Sequence, residues 1–183
     1  MMRITGGIHR SRKLETPKND AVRPTSDKVR QALFNMLNSR GLVRDAIVLD
    51  AFCGTGALGL EALSQGAEQA IFIDKTKSSI DIVRQNIEIL NVGGQSRVLL
   101  QDSTKIKQRS DDISQADLVF LDPPYHKGLV EKAVTALQAS NWLNEECFFV
   151  IETAKDENVI LDSLNIIQEK TYGDTKILCA QFS

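Results

Sequence analysis

The feature that most constrains the fold is a series of short apolar runs, four of which end in or lead into an aspartate. These runs occupy residues 46–50, 70–74, 97–101 and 117–121. After the second run, Ile80, Val83, Ile87 and Leu90 recur at helical spacing. A fifth run at 147–152 and two β-like stretches at 163–172 and 176–182 follow. Continuous apolar strands that alternate with helices are typical of a parallel sheet covered on both faces. We therefore predict an α/β fold with a mostly parallel, seven-stranded sheet.

Composition indicates an ordinary globular protein with one domain. The 183 residues have a mean hydropathy of −0.17, and 42% of them are hydrophobic. The three cysteines are far apart and lack a metal-ligand spacing, so we expect buried cysteines in a cytoplasmic protein without a metal site. No apolar run has the length of a membrane span, and residues 1–8 lack the apolar core of a signal peptide.

Charge is distributed unevenly along the chain. The net charge of −2 by itself argues against a nucleic-acid partner, but residues 1–30 carry +5 and the remainder carries −7. A basic arm on an acidic body is a plausible surface for contacting phosphates. A solvated terminus explains the same charges equally well. We predict an RNA-contacting arm at 1–25 that precedes a catalytic domain at 26–183.

A glycine-rich turn follows the first strand. Gly54, Gly56 and Gly59 satisfy the pattern GxGxxG, and Asp74 lies 20 residues after Gly54, as in a dinucleotide-binding fingerprint. In that fingerprint, however, the glycines follow the strand directly, whereas here Asp50 ends the strand and three residues intervene. A carboxylate at this point suits a cationic ligand, such as the ammonium group of a methionine moiety. The alternative is a tight turn that binds nothing.

Acidic residues at successive strand ends extend this site. Asp74 could accept hydrogen bonds from the ribose hydroxyls of an adenosine, and Asp102, followed by Ser103, could accept one from the adenine amino group. A single aspartate at a strand end is often only a cap. Together with Asp50 and Asp122, these residues follow four consecutive strands, and open α/β sheets bind ligands at that edge.

The tetrapeptide Asp122-Pro123-Pro124-Tyr125 after the fourth strand indicates the reaction. An exocyclic amine on a base is a poor nucleophile because its lone pair is delocalised into the ring. The Asp122 carboxylate and the Pro123 carbonyl can accept both amino hydrogens and direct the lone pair at an electrophile, such as the methyl group of a sulfonium cofactor. Tyr125 can stack on a base that has left its helix. An ordinary loop is the alternative interpretation.

These motifs resemble the class I, Rossmann-like methyltransferases, and specifically the RsmD family, which makes N2-methylguanine in bacterial 16S ribosomal RNA. The resemblance covers nearly the whole chain. It includes residues 2–7, Arg12-Lys13-Leu14, Arg23-Pro24-Thr25 with the helix after it, 50–66, 121–125 and Trp142-Leu143. The departures are Cys53 and Thr55, where alanine and serine are expected, and Asn141, where glycine is common.

The resemblance implies S-adenosylmethionine as the cofactor and, as partner, ribosomal RNA within a small-subunit particle, bound by a monomer. The cofactor contacts it implies are Asp50, Phe52, Gly54, Gly56, Asp74, Lys75, Asp102, Ser103 and Asp122. The catalytic residues it implies are Asp122, Pro123, Pro124 and Tyr125. The RNA contacts it implies are Arg3, Arg10, Arg12, Lys13, Arg23, Thr25 and Arg30.

Three other functions compete with this interpretation. A DNA adenine-N6 methyltransferase shares the Asp-Pro-Pro-Tyr motif, but such enzymes usually carry a recognition insert for which this chain has no spare segment. A nicotinamide oxidoreductase needs neither Asp50 nor this motif. A non-catalytic RNA-binding factor would have a broken cofactor site, whereas every expected position is filled. The preference for guanine over adenine rests on the resemblance, because the pocket chemistry fits both bases.

Overall fold

The computed structural model describes residues 2–17 and 26–183. The strands are β1 Met2–Arg3, β2 Lys13–Leu14, β3 Ile47–Asp50, β4 Gln69–Asp74, β5 Ser96–Leu100, β6 Ala116–Leu121, β7 Leu143–Ala154, β8 Leu164–Tyr172 and β9 Thr175–Phe182. The helices are α1 Asp27–Ser39, α2 Ala57–Ser64, α3 Lys77–Leu90 and α4 Leu129–Ala139. Within these described residues, no helix is both long and apolar enough to cross a membrane.

The main sheet has seven strands in the order β5-β4-β3-β6-β7-β9-β8. The first five are parallel, and β9 runs antiparallel to both β7 and β8. The apolar runs at β3, β4 and β6 are buried on both faces, as expected for central parallel strands. The predicted fold class and the mostly parallel sheet are confirmed.

Helices cover both faces of the sheet. Residues of α1, α2 and α3 form one core with the side chains of Phe72 and Phe120, whereas α4 packs on the other face against residues such as Leu121. Ser26 caps the N-terminus of α1, because its hydroxyl accepts a hydrogen bond from the Val29 N–H at 3.3 Å. All three cysteines are buried, also as expected.

The described part of the basic arm, residues 2–17, folds as a hairpin in which β1 and β2 pair antiparallel. Met2, Ile4 and Leu14 point into the core, so this hairpin is packed on the body. The Asn86 side chain on α3 ties its end to the body, because it accepts the Glu15 N–H at 2.7 Å and donates to the carbonyls of Glu15 and Thr55.

A buried ion pair anchors the other side of the hairpin. The Glu61 carboxylate on α2 is fully buried and accepts the backbone N–H groups of Thr5 and Gly6, at 2.8 and 2.7 Å. The Arg30 Nε also donates to Glu61, at 3.2 Å, and a second Arg30 nitrogen lies 2.8 Å from Asp27. The Arg30 side chain is only 1% exposed. Its predicted contact with RNA is therefore wrong, since the guanidinium is used inside the protein to join α1, α2 and the hairpin.

Replacing Arg30 with methionine should lower the free energy of unfolding by about 3–5 kcal/mol, because it leaves the buried Glu61 carboxylate without its cation. The matched control is Arg84→Met, since Arg84 pairs with Asp81 at the surface with 58% of its side chain exposed; its effect should stay below about 1 kcal/mol. Urea unfolding followed by circular dichroism measures both. Equal effects of the two substitutions would contradict the anchoring role.

Candidate active site

Five carboxylates lie in a row along the carboxyl edge of the sheet. The parallel strands β5, β4, β3, β6 and β7 are neighbours in that order, and each ends in or near an acidic residue. In the same order these residues are Asp102, Asp74, Asp50, Asp122 and Glu152. The first four were predicted from the sequence. With neighbouring strands about 4.8 Å apart, the row spans roughly 20 Å, which is enough for a nucleoside-sized ligand and a second group beside it.

Asp50 is the most deeply buried of the four predicted aspartates. Its side chain ends β3 with 2% exposure, and one carboxylate oxygen accepts the Gly59 N–H at 3.1 Å. Burial raises the pKa of Asp50 to about 7, the Gly59 hydrogen bond opposes this rise, and the nearby Asp74 carboxylate adds to it. A carboxylate in this state gains most from a bound cation. Asp50 therefore fits the role of partner for an ammonium group.

The glycine-rich turn leaves room beside Asp50. Gly54 has a φ of +52°, and a side chain at this position would meet nothing within 4 Å, so the turn is open at this point. Gly59 is needed for packing, because a Cβ at Gly59 would lie 2.4 Å from the ring of Phe72. The open glycine lets a ligand approach the backbone closely, while the second glycine seats α2 against β4.

Asp74 and Asp102 hold the backbone of their own loops and remain partly exposed. Asp74 accepts the Gly54 N–H at 3.1 Å and the Thr76 N–H at 2.8 Å, one on each oxygen. Asp102 accepts the hydroxyl and the backbone N–H of Thr104, and these bonds lower the pKa of Asp102. Asp74 keeps a lone pair on each oxygen, and in Asp102 both bonds go to Oδ1, which leaves Oδ2 as an acceptor. Both groups can therefore accept hydroxyl or amino hydrogens from a ligand.

The other predicted cofactor contacts differ in accessibility. Phe52 is half-buried and Lys75 is exposed. Ser103 is buried, and its hydroxyl donates to the Ala51 carbonyl, so the side chain serves the loop itself. The row offers hydrogen-bond acceptors at Asp74 and Asp102, open space beside the Gly54 backbone and a carboxyl group at Asp50. These groups fit a cationic adenosine derivative such as S-adenosylmethionine.

The Asp-Pro-Pro-Tyr motif begins at Asp122, the fourth carboxylate of the row. Withdrawal from water raises the pKa of Asp122 well above its usual range, and the neighbouring carboxylates of Glu152 and Asp50 contribute to the rise. Pro123 is buried and Pro124 is exposed. Because β3 and β6 are neighbours, the motif places a carboxyl group with an elevated pKa next to Asp50.

Tyr125 is tethered through its hydroxyl group. The hydroxyl donates to Oε1 of Glu152 at 2.9 Å and lies 3.2 Å from the hydroxyl of Thr175. Burial and the adjacent carboxylates raise the pKa of Tyr125, so the group stays a neutral donor. Both tethering residues were missed from the sequence. Glu152 could have been predicted as a site residue, because it ends the fifth apolar run just as an aspartate ends or follows each of the other four. Thr175 has no comparable signal in the sequence.

The predicted RNA contacts other than Arg30 fall into two groups. Arg3, Arg10, Arg12 and Lys13 are exposed on the hairpin. Arg12 also donates to the Ile89 carbonyl, and Arg3 lies 3.5 Å from Asp27. Arg23 and Thr25 lie outside the described residues. Over 2–17 and 26–183, no group of three or more His, Cys, Asp or Glu side chains could hold a metal ion.

Comparison with known proteins identifies the family of the chain. Residues 2–181 match the family described as Conserved hypothetical protein 95, the RsmD family. The chain belongs to this family. A relative in it is the Haemophilus influenzae protein named "Ribosomal RNA small subunit methyltransferase D", which is 34% identical over 174 residues, covering 94% of this chain and 89% of that protein. The resemblance stated from the sequence is confirmed.

Solved structures confirm the Rossmann-like methyltransferase fold. The structure of yhhF from Escherichia coli has a TM-score of 0.84 at 33% identity and covers 100% of this chain and 98% of that chain. The RNA methyltransferase from Salinibacter ruber, solved with S-adenosyl-L-homocysteine, has a TM-score of 0.63 at 18% identity over 86% of this chain and 92% of that chain. This second likeness concerns the fold alone.

The state of Asp50 gives a prediction for the family's cofactor site. Because the folded chain raises the pKa of Asp50 from 3.8 to about 7, Asp50 holds its proton more tightly when folded, and its contribution to stability is lost as pH rises through this range. Asp50→Asn should therefore raise the free energy of unfolding by about 4 kcal/mol at pH 8, with little change near pH 4, while weakening the binding of S-adenosylhomocysteine.

The control for this prediction is Asp45→Asn, an exposed residue with a φ of +61° that asparagine also adopts. Thermal unfolding at both pH values and calorimetric titration with S-adenosylhomocysteine provide the two measurements. A loss of stability at pH 8 in Asp50→Asn would contradict the assigned state of this carboxyl group.

Proposed function

We propose that the chain transfers a methyl group from S-adenosylmethionine to the exocyclic N2 amine of a guanine in 16S ribosomal RNA. The observation that carries this proposal is the adjacency of Asp122 and Asp50 at one edge of the sheet, where an amine-binding carboxyl meets a cation-binding carboxyl. The name of the Haemophilus influenzae relative supports ribosomal RNA of the small subunit as the substrate.

The four aspartates of the row then have a role each. Asp50, Asp74 and Asp102 hold the cofactor, and Asp122 with the Pro123 carbonyl accepts the two hydrogens of the target amine. When bound, the cofactor supplies an activated methyl group on a sulfonium sulfur. Asp122 and the Pro123 carbonyl would direct the amine lone pair at this methyl group, and Asp122 would take the N–H proton released as the new N–C bond replaces the methyl–sulfur bond. The raised pKa of Asp122 suits it to take this proton.

Tyr125 and the proline pair prepare the target base. A base in a folded RNA must leave its stack to reach a pocket at a sheet edge, and an aromatic face compensates for the lost stacking. The tether from the Tyr125 hydroxyl to Glu152 holds this ring in one place before the base arrives. Orientation of the reacting groups is the main contribution that the protein makes to such a transfer.

We further propose that the hairpin of residues 2–17 contacts the RNA backbone. Its exposed cations Arg10, Arg12 and Lys13 lie on an element that is clamped to α2 and α3, close to the glycine-rich turn. We infer a monomer that acts on a small-subunit particle in the cytoplasm, with Arg23 and Thr25 as additional RNA contacts.

The proposed reaction is tested by identifying its product. The protein is incubated with methyl-labelled S-adenosylmethionine and small-subunit particles from a strain that lacks this modification, and the RNA is digested to nucleosides. Label in N2-methylguanosine at one position is expected. Label in N6-methyladenosine, or in N6-methyladenine when DNA is offered, would replace the proposal with the adenine methyltransferase alternative.

Substituting Asp122 with asparagine should lower the methyl-transfer rate by about 10²–10⁴-fold, because the proton acceptor and one hydrogen-bond partner of the amine are lost. Calorimetric titration should show S-adenosylhomocysteine affinity within about threefold of that of the unmodified protein. The control is Asp156→Asn, whose side chain is 83% exposed. Full activity in Asp122→Asn would refute the mechanism.

Substituting Arg10 or Lys13 with alanine should weaken RNA binding and make it less salt-dependent, because each lost phosphate contact lowers the slope of log K against log salt by about 1. Arg97→Ala on β5 is the control, since its side chain is 58% exposed and lies, like that of Leu99, on the face of the sheet opposite to the core that the hairpin joins. Filter binding over a salt series measures the slopes. Slopes that match those of the control would remove the hairpin from the interface.

A further inference from the structure

Glu152 tethers Tyr125 at the catalytic edge, but in the proposed reaction it does not itself contact the base. In the β6–β7 ladder Leu121 is opposite Ile151, so the next residues, Asp122 and Glu152, are neighbours at the carboxyl end of the two strands. Their side chains share the face of the sheet that Phe120 and Val150 occupy, because side chains alternate along a strand. The two carboxyl groups therefore face the same pocket.

The order of the row assigns Glu152 to the base and not to the cofactor. Asp102, Asp74 and Asp50 belong to β5, β4 and β3, which form one half of the parallel edge. Asp122 lies at the boundary, and Glu152 lies one strand further on, on the side away from the cofactor residues. A base whose amine is held at Asp122 thus places its adjoining edge next to Glu152.

Glu152 is also held in a fixed position. Its side chain is 7% exposed, and Oε1 accepts the hydroxyl of Tyr125, the residue that would stack on the base. The hydroxyl of Thr175 on β9 supports the same tyrosine. A carboxylate that is anchored in this way can accept a hydrogen bond from a ligand with little loss of conformational entropy on binding.

Guanine and adenine differ at the atom next to the Asp122 position. In guanine the ring N1 carries a hydrogen and adjoins the 2-amino group, so the edge presents neighbouring donors. In adenine N1 is an acceptor, and it would face a carboxylate oxygen with no hydrogen between them. We propose that Glu152 accepts the N1–H of the target guanine and thereby determines guanine over adenine, an inference that rests on the proposed function.

The substituted base 2,6-diaminopurine tests this role, because it keeps the 2-amino group but has no hydrogen on N1. Small-subunit particles are reconstituted with RNA that carries guanine or 2,6-diaminopurine at the target position, and kcat/KM for methyl transfer is measured. The unmodified protein should prefer guanine by about 10- to 100-fold. Glu152→Gln, whose amide can donate to N1 and still accept the Tyr125 hydroxyl, should remove or invert this preference.

The matched control is Thr175→Val, which removes the other partner of Tyr125 and leaves Glu152 in place. It should lower transfer to both bases by the same factor. Equal rates of the unmodified protein on the two bases would overturn the role of Glu152, as would a Glu152→Gln variant that loses activity on both equally. Absence of any transfer to the 2-amino group by the unmodified protein would instead refute the proposed function.

Discussion

The structure depends on keeping carboxyl groups away from water at one edge of a parallel sheet. Desolvation raises the pKa of both Asp50 and Asp122, and neighbouring carboxylates add to the rise: Asp74 for Asp50, and Glu152 with Asp50 for Asp122. The edge is therefore unfavourable as long as these groups are ionised. The strands beneath them are buried on both faces and hold the edge rigid. A cationic cofactor and an amine that donates hydrogen bonds would relieve this repulsion on binding. The repulsion in the ligand-free protein therefore adds to the free energy of binding.

The hairpin extends this arrangement to the RNA. Glu61 and Asn86 are buried polar residues whose hydrogen bonds join residues 2–17 to α2, α3 and the glycine-rich turn. Because α2 begins at that turn, the proposed RNA-contacting surface and the cofactor site share one rigid support. Arg30, for which the family resemblance implied an RNA contact, completes this support from inside the protein.

Local patterns predicted most of the fold and the placement of four aspartates at one edge of the sheet. The strands and the four aspartates were predictable because apolar continuity and the acids after each run are properties of neighbouring residues. The burial of Arg30 was not predictable, because its partner Glu61 is 31 residues away in the sequence and water is excluded from the pair only once the hairpin packs on the body. A lone glutamate in the otherwise apolar α2 was the available signal. The tether between Tyr125 and Glu152 likewise depends on the pairing of β6 with β7, which no local pattern reveals.

The central claim is that the desolvated carboxyl edge binds the cofactor as a cation. Its most direct test is calorimetric titration with S-adenosylhomocysteine at about pH 6.5 in buffers of different ionisation enthalpy, where the ligand's α-amino group is already almost fully protonated. Since Asp50 has a pKa of about 7 in the free protein, binding of the ammonium group should lower that pKa and release protons. We expect proton release from the unmodified protein and much less from Asp50→Asn. Binding without proton release, or the same release from both proteins, would contradict the account.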